Sequence, residues 1–227
     1  MRAGLVVAVL AIGLAGCSAA TAPSVREGAL RYVALGDSYT IGTSVSSAES
    51  WPSQLVARVP RLELVANLGV NGYTSADLIA DELPRLGALA PEFVTVMIGV
   101  NDVVQGVPEG AYRANVEEIL DTLFAVLPAE RVLCVATPDY TVTPQGAAFG
   151  SPQQQRAAIE RVNLILGEEC AARGIGYVAD IFAISQAAAT DRSLVAGDGL
   201  HPSGAQYALW VEAIAPEVEA LLRARSD

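Results

Sequence analysis

The sequence is short of the residues that build most metal and redox centres. Its 227 residues include one histidine and three cysteines, and these do not cluster along the chain. Zinc sites usually combine several histidine or cysteine ligands, so a zinc centre is implausible and only carboxylates remain as metal ligands. We therefore expect no metal and no other cofactor.

Positive charge and phosphate-binding motifs are scarce as well. Arginine and lysine together number 14 against 25 aspartates and glutamates, which gives a formal net charge of -11. Binding nucleic acid through its phosphates needs clustered positive charge, so no nucleic-acid partner is expected. Neither G-x-x-x-x-G-K nor G-x-G-x-x-G occurs, which argues against a flavodoxin-like cofactor binder.

The amino-terminal end differs from the rest of the chain. Arg2 precedes an apolar run over residues 3–14, which is too short to span a bilayer but has the length of a signal-peptide core. The run ends in Leu14-Ala15-Gly16-Cys17, which resembles the lipobox of bacterial lipoproteins, in which the cysteine is lipidated and becomes the new amino terminus.

This resemblance implies a lipoprotein signal peptide over residues 1–16 and a tether over 17–29. The rest of the chain has no fixed-period repeat and no linker-like stretch, so one domain is predicted over 30–227. The lipobox resemblance also implies an exported protein that is anchored to the bacterial cell envelope by a lipid on Cys17. The alternative is cleavage after Ala20-Thr21-Ala22, an A-x-A-like site, which would give a secreted protein.

The other two cysteines have the surroundings of core residues. Cys134 lies in an apolar, strand-like run, and Cys170 shares a helical face with Val162 and Leu166. In an exported protein a disulfide between them is the alternative, and the sequence carries no geometry to decide between the two.

The remaining chain alternates between strand-like and helical patterns. Short apolar runs predict strands at 30–35, 62–66, 93–98, 131–136 and 176–180. Helical patterns cover 74–83, 109–127, 151–173 and a final segment in which Pro216 predicts a kink or a break. The alternation predicts an α/β fold, a three-layer α/β/α sandwich around a five-stranded parallel sheet, with a ligand site at the carboxyl ends of the strands. The longer connections at 36–49, 99–108, 137–151 and 190–202 are expected to build that site.

The single histidine, His201, follows Asp198 by three residues and leaves few mechanisms open. A serine hydrolase needs an imidazole to accept the hydroxyl proton and a carboxylate to orient that imidazole. Pro202 favours an extended backbone at His201, and Ser203 with Gln206 forms a capping box for the final helix. A loop histidine beside a surface aspartate is the alternative interpretation.

A candidate nucleophile follows the first predicted strand. The run ends in Gly36-Asp37-Ser38, which places Ser38 at a strand-to-helix turn where its hydroxyl would be exposed at the top of the sheet. The G-x-S-x-G nucleophile elbow of α/β-hydrolases is absent from the sequence. An ordinary turn with a helix cap is the alternative.

Four segments together resemble the sequence blocks of SGNH/GDSL hydrolases, in the family's order. They are Gly36-Asp37-Ser38-Tyr39 (block I), residues 67–72 ending in Gly72 (block II), Gly99-Val100-Asn101-Asp102 (block III) and Asp198 to His201 (block V). The blocks extend over residues 36–201, nearly the whole predicted domain. Tyr39 stands where the family name has leucine, a position that varies in the family.

The resemblance implies a serine esterase with Ser38 as nucleophile, His201 as general base and Asp198 as its partner. It also implies an oxyanion hole made by the backbone N–H groups of Ser38 and Gly72 and the side-chain amide of Asn101. Taken alone, Gly72 reads as a turn glycine and Asn101 as a self-capping loop residue. Asp37 and Asp102 stay outside the catalytic set, as residues that orient backbone.

The resemblance does not distinguish lipase-like, thioesterase-like and carbohydrate acetylesterase activity, so small esters and acylated carbohydrates or lipids all stay open as substrates. An apolar or aromatic pocket lining would favour a short or medium acyl chain or an aryl ester. We expect that lining from the loop residues Tyr39, Val103, Val104, Tyr140, Phe149 and Leu200. Alternatives to a serine esterase are a metal-dependent hydrolase and a binding lipoprotein that keeps the fold without the chemistry.

Overall fold

The structure, a computed structural model, describes residues 25–223 and contains one parallel sheet. The predicted signal peptide, Cys17 and the first part of the predicted tether lie outside the described residues. Five strands follow the order β2-β1-β3-β4-β5, and every neighbouring pair is parallel. The strands are β1 (Leu30–Gly36), β2 (Leu62–Asn67), β3 (Phe93–Met97), β4 (Val132–Val135) and β5 (Gly176–Val178). The predicted fold class is therefore confirmed.

Helices connect the strands and cover both faces of the sheet. Between β1 and β3 they are α1 (Ser38–Ile41), α2 (Trp51–Arg58), α3 (Ser75–Asp77) and α4 (Leu86–Leu89). After β3 they are α5 (Val100–Val104), α6 (Glu109–Phe124), α7 (Pro152–Ala172), α8 (Ile181–Ser185) and α9 (Gly204–Arg223).

Alternate residues of each central strand enter different cores. Tyr32 and Ala34 of β1 pack in the core that contains α2 and α9, whereas Val33 and Leu35 pack in the core that contains α6 and α7. A strand turns successive side chains to opposite faces, so a strand buried on both sides must be apolar throughout. This is why the sequence shows nearly continuous apolar runs.

Two helical predictions differ from the structure in their details. The helix predicted over 74–83 is a composite, in which α3 passes into a π-helical turn at Leu78–Glu82 and a 3₁₀ turn at Leu83–Arg85. The final helix continues through Pro216 instead of breaking there. Pro216 lies on the exposed face, where water can satisfy the carbonyl group that the missing N–H leaves unpaired.

Cys134 and Cys170 are both buried free thiols. A hydrogen bond to Cys170, together with burial, raises the pKa of the Cys134 thiol. Both cysteines therefore act as core residues, as the first of the two interpretations predicts.

The amino and carboxyl ends of the described chain lie at the same pole of the sheet, where the strands begin. Arg26 donates hydrogen bonds to Glu63 and to the Leu62 carbonyl at the start of β2. Arg61, one residue before β2, donates to the Leu222 carbonyl near the end of α9. No helix within residues 25–223 is long and apolar enough to cross a membrane.

Candidate active site

A cavity of about 150 Å³ lies at the opposite pole, beyond the carboxyl ends of the strands. Ser38 and Asn101 enter it from the segments after β1 and β3. These two strands are neighbours, and between them the chain changes the direction in which it adds strands to the sheet. This is where open parallel sheets bind their ligands. The lining residues are Ser38, Tyr39, Asn71, Gly72, Val100, Asn101, Val104, Tyr140, Phe149, Leu200 and His201.

The turn that carries Ser38 depends on close contact between strands and on a helix cap. A Cβ atom on Gly36 would lie 2.3 Å from the Met97 carbonyl oxygen, so only glycine fits there. Asp37 caps α1 by accepting a hydrogen bond from the Tyr39 N–H at 3.0 Å. Ser38 is then the first residue of α1, and its own N–H has no acceptor within the helix.

Asp198 and His201 form a tight turn with the carboxylate against the imidazole. Asp198 Oδ1 accepts the backbone N–H groups of Leu200 and His201 at 2.9 and 3.0 Å. Asp198 Oδ2 lies 2.6 Å from His201 Nδ1 and accepts a second hydrogen bond from the Ser44 hydroxyl, also at 2.6 Å. Burial raises the pKa of Asp198, but these hydrogen bonds outweigh it and hold the pKa well below its usual range.

The His201 ring is fixed by its surroundings. Its side chain is 12% exposed, and its ring centroid lies 5.2 Å from that of Tyr39, the neighbour of Ser38. An ionised carboxylate only accepts hydrogen bonds, so in neutral His201 the proton sits on Nδ1 and Nε2 is left as an acceptor. In the described part of the chain no hydrogen bond joins the Ser38 and His201 side chains, although both line the same cavity.

Gly72 and Asn101 approach the cavity from the segments after β2 and β3. Gly72 has a φ of +83°, a conformation that favours glycine. The Asn101 side-chain amide donates to the Tyr73 carbonyl at 2.9 Å, and Gln105 donates to the Gly72 carbonyl at 3.0 Å. These two hydrogen bonds join the two segments beside the cavity.

Most of the described chain matches a known family model. The model of the GDSL-like Lipase/Acylhydrolase family matches residues 34–209, which include all four sequence blocks. The chain belongs to this family. This GDSL hydrolase is therefore an enzyme that hydrolyses esters. No curated protein sequence matches it significantly.

Solved structures share the fold of this GDSL hydrolase at low sequence identity. TesA is 20% identical with a TM-score of 0.68, and the match covers 84% of this chain and 99% of TesA. A catalytic mutant of Axe2, an acetylxylan esterase from Geobacillus stearothermophilus, is 18% identical with a TM-score of 0.67, covering 86% and 96% of the two chains. The lipase/acylhydrolase from Enterococcus faecalis is 21% identical with a TM-score of 0.66, covering 84% and 96%.

Three buried carboxyl groups support the backbone beneath the site. Asp37 caps the nucleophile helix, Glu82 accepts a hydrogen bond from the Gly36 N–H at 3.0 Å, and Asp102 accepts from both the N–H and the hydroxyl of Ser75. Burial raises the pKa of all three, to about 7 for Asp37 and to about 9 for Glu82. Asp37 and Asp102 thus orient backbone in this GDSL hydrolase.

The cavity lining differs from the expected set at one position. Tyr39, Val104, Tyr140, Phe149 and Leu200 line the cavity as predicted, but Val103 does not. Val103 packs against the two hydrophobic cores because α5 turns it inward, and Val100 takes its place.

Sequence reasoning gave no individual role to Asn71 or to Ser44. Asn71 lines the cavity and accepts a hydrogen bond from Thr43, while Ser44 donates to Asp198. Within the part of the chain that the structure describes, no group of three or more His, Cys, Asp or Glu side chains is placed to hold a metal ion.

Proposed function

We propose that this chain is a serine esterase that hydrolyses short-chain or aryl carboxylic esters through an acyl-enzyme on Ser38. His201 acts as general base and then as general acid, and Asp198 fixes its orientation. The Ser38 and Gly72 N–H groups with the Asn101 amide form the oxyanion hole.

One observation carries this proposal. The hydroxyl-bearing Ser38 and the imidazole of His201 line one cavity, and His201 is held through Nδ1 by a carboxylate at 2.6 Å. Catalytic contacts often shorten only when substrate is bound, so the missing direct bond between Ser38 and His201 does not count against their pairing. Catalytic mutants of Axe2 replace a serine and also an aspartate and a histidine three positions apart, which is the spacing of Asp198 and His201.

The proposed reaction has two steps. His201 Nε2 takes the proton of Ser38 as its Oγ attacks the ester carbonyl, and then returns that proton to the leaving alcohol. Water then attacks the acyl-enzyme as His201 Nε2 takes its proton, and His201 returns that proton to the leaving Ser38 Oγ as the acid product is released. Asp198 stays ionised throughout and stabilises the imidazolium, because its hydrogen bonds hold its pKa low.

Negative charge on the tetrahedral oxygen needs donors that are already in place. Asn101 uses one amide hydrogen on Tyr73, so the second remains for the oxyanion. Among the described residues, neither the Ser38 N–H, the first of α1, nor the Gly72 N–H donates to another backbone group. Preorganised donors of this kind are usually the largest contribution to rate.

The size and lining of the cavity support a short acyl or aryl group. Its volume is about 150 Å³, and apolar side chains from α5 and two loops form much of its wall. An apolar cavity of roughly 150 Å³ can hold a benzene molecule, so we expect chains up to about six carbons to fit. A series of p-nitrophenyl esters from acetate to laurate, run beside acetylated glycans, measures this limit.

An active-site probe tests the assignment of the nucleophile. A fluorophosphonate should label the parent protein and fail to label Ser38→Ala, with thermal unfolding showing that the variant is folded. Ser47→Ala, at an exposed serine outside the cavity, is the matched control and should be labelled like the parent. A folded parent that takes no label would instead favour the binding lipoprotein.

We also propose that the enzyme is exported and anchored to the cell envelope by a lipid on Cys17. The support is the signal-peptide-like run followed by the lipobox-like Leu14-Ala15-Gly16-Cys17. Cys17→Ala should move the activity from the membrane fraction to the soluble fraction without lowering its specific activity. Processing after Ala22 in the parent would support the secreted alternative.

A further inference from the structure

Ser44 joins the nucleophile segment to the carboxylate that holds His201. It lies six residues after Ser38, and its Oγ donates to Asp198 Oδ2 at 2.6 Å across 154 positions of the sequence. The two backbone N–H groups that hold Asp198 both bind Oδ1. Ser44 is therefore the donor, other than His201 itself, that fixes the oxygen facing the imidazole.

The backbone at Ser44 indicates that the hydroxyl is the reason for a serine at this position. Its φ is +67°, in the left-handed region where a side chain costs stability and glycine does not. Gly42, two residues earlier, adopts such a conformation with a φ of +83°. Strain of this kind is concentrated at functional sites.

We propose that Ser44 is a positioning residue of the esterase: its hydroxyl aligns the Asp198–His201 pair with Ser38 through the bond to Asp198 Oδ2. This inference rests on the proposed function of Ser38, Asp198 and His201. Ser44 does not line the cavity, so it acts through Asp198 and not on the substrate.

Glycine and alanine variants separate the hydroxyl from the backbone. Ser44→Gly and Ser44→Ala should each lower kcat for p-nitrophenyl butyrate about tenfold, the usual scale for one hydrogen bond to a charged group, with KM nearly unchanged. Ser44→Gly should unfold at a Tm no lower than that of the parent, because glycine relieves the left-handed strain. Ser47→Ala serves as control and should match the parent in kcat, KM and Tm.

A variant that is at least as stable as the parent and yet has a lower kcat identifies a positioning role. A residue with a purely structural role would lose stability together with activity. The inference is overturned if both variants keep the parent's kcat, or if Ser44→Ala loses activity and stability together while Ser44→Gly recovers both. A parent that lacks fluorophosphonate labelling at Ser38 overturns the proposed function as well. Parental labelling with unchanged Ser44 variants overturns this inference alone.

Discussion

Replacing Glu82 by glutamine should stabilise the protein, and the gain should grow as the pH rises. Glu82 is 1% exposed, and its Oε1 is buried without a hydrogen-bond partner among the described residues. Burial raises the pKa of this carboxyl from an ordinary 4.5 to about 9; the hydrogen bond from Gly36 opposes the rise, and the neighbouring Asp37 adds to it. Folding therefore favours the protonated form.

The size of the effect follows from these pKa values. Below pH 4.5 the carboxyl is protonated in the folded and the unfolded state, so it costs nothing. Between there and the folded pKa only the unfolded state ionises, and the free energy of unfolding falls by about 1.4 kcal/mol for each pH unit. The loss reaches about 3 kcal/mol at pH 7 as an upper bound. Glutamine stays neutral, so Glu82→Gln escapes this loss.

Urea denaturation at about pH 5.5, 7 and 8.5 measures the difference in the free energy of unfolding between Glu82→Gln and the parent. That free energy falls linearly with urea concentration, so it can be extrapolated to water. The buried Trp51 and Trp210 supply a fluorescence signal for unfolding. Glu118→Gln, at an exposed glutamate of α6, is the matched control and should keep the pH dependence of the parent. A stability difference between Glu82→Gln and parent that stays constant with pH would refute a protonated Glu82.

Four further predictions concern catalysis. Asn101→Ala should lower kcat about 10²- to 10³-fold with little change in KM for p-nitrophenyl butyrate, and a fall below threefold would contradict its oxyanion role. Phe149→Ala should move the best substrate of the p-nitrophenyl series to a longer chain, because Phe149 packs edge-to-face on Tyr140 at 5.5 Å in the cavity wall. An unchanged optimum would show that Phe149 does not limit the length of the acyl chain. The kcat/KM profile should fall on the acid side as His201 gains a proton, whereas added EDTA should have no effect. Asp37→Asn keeps the helix cap and should keep this fall in kcat/KM at acid pH. If the variant loses the fall, the group whose protonation causes it is Asp37, whose pKa burial raises to about 7.

Local patterns were sufficient to predict the sheet and the segments that build the site. The apolar run at 30–35 became β1 because both of its faces are buried, and Gly36 ends it where another side chain would meet Met97. The runs that became β3 and β4 are likewise buried on both faces. Sites at the ends of such strands can be anticipated because parallel strands finish at one edge of a sheet.

Features that depend on distant contacts could not be predicted in this way. Nothing in the sequence separates Ser44 from Ser46 or Ser47, since its role arises from a bond to a residue 154 positions away. Glu82 breaks the rule that ionisable side chains stay at the surface, and its partner Gly36 is 46 positions distant. The direction of Val103 depends on α5, a helix of five residues that is too short to show a periodic pattern.

The location of both ends of the described chain, residues 25 and 223, at the pole where the strands begin has a practical consequence. Arg26 and Leu222 lie there, and the seven residues of β1, about 23 Å of extended chain, separate that pole from Ser38. A bead or a tag joined directly at residue 25 or residue 223 would therefore lie at the pole opposite the mouth of the cavity.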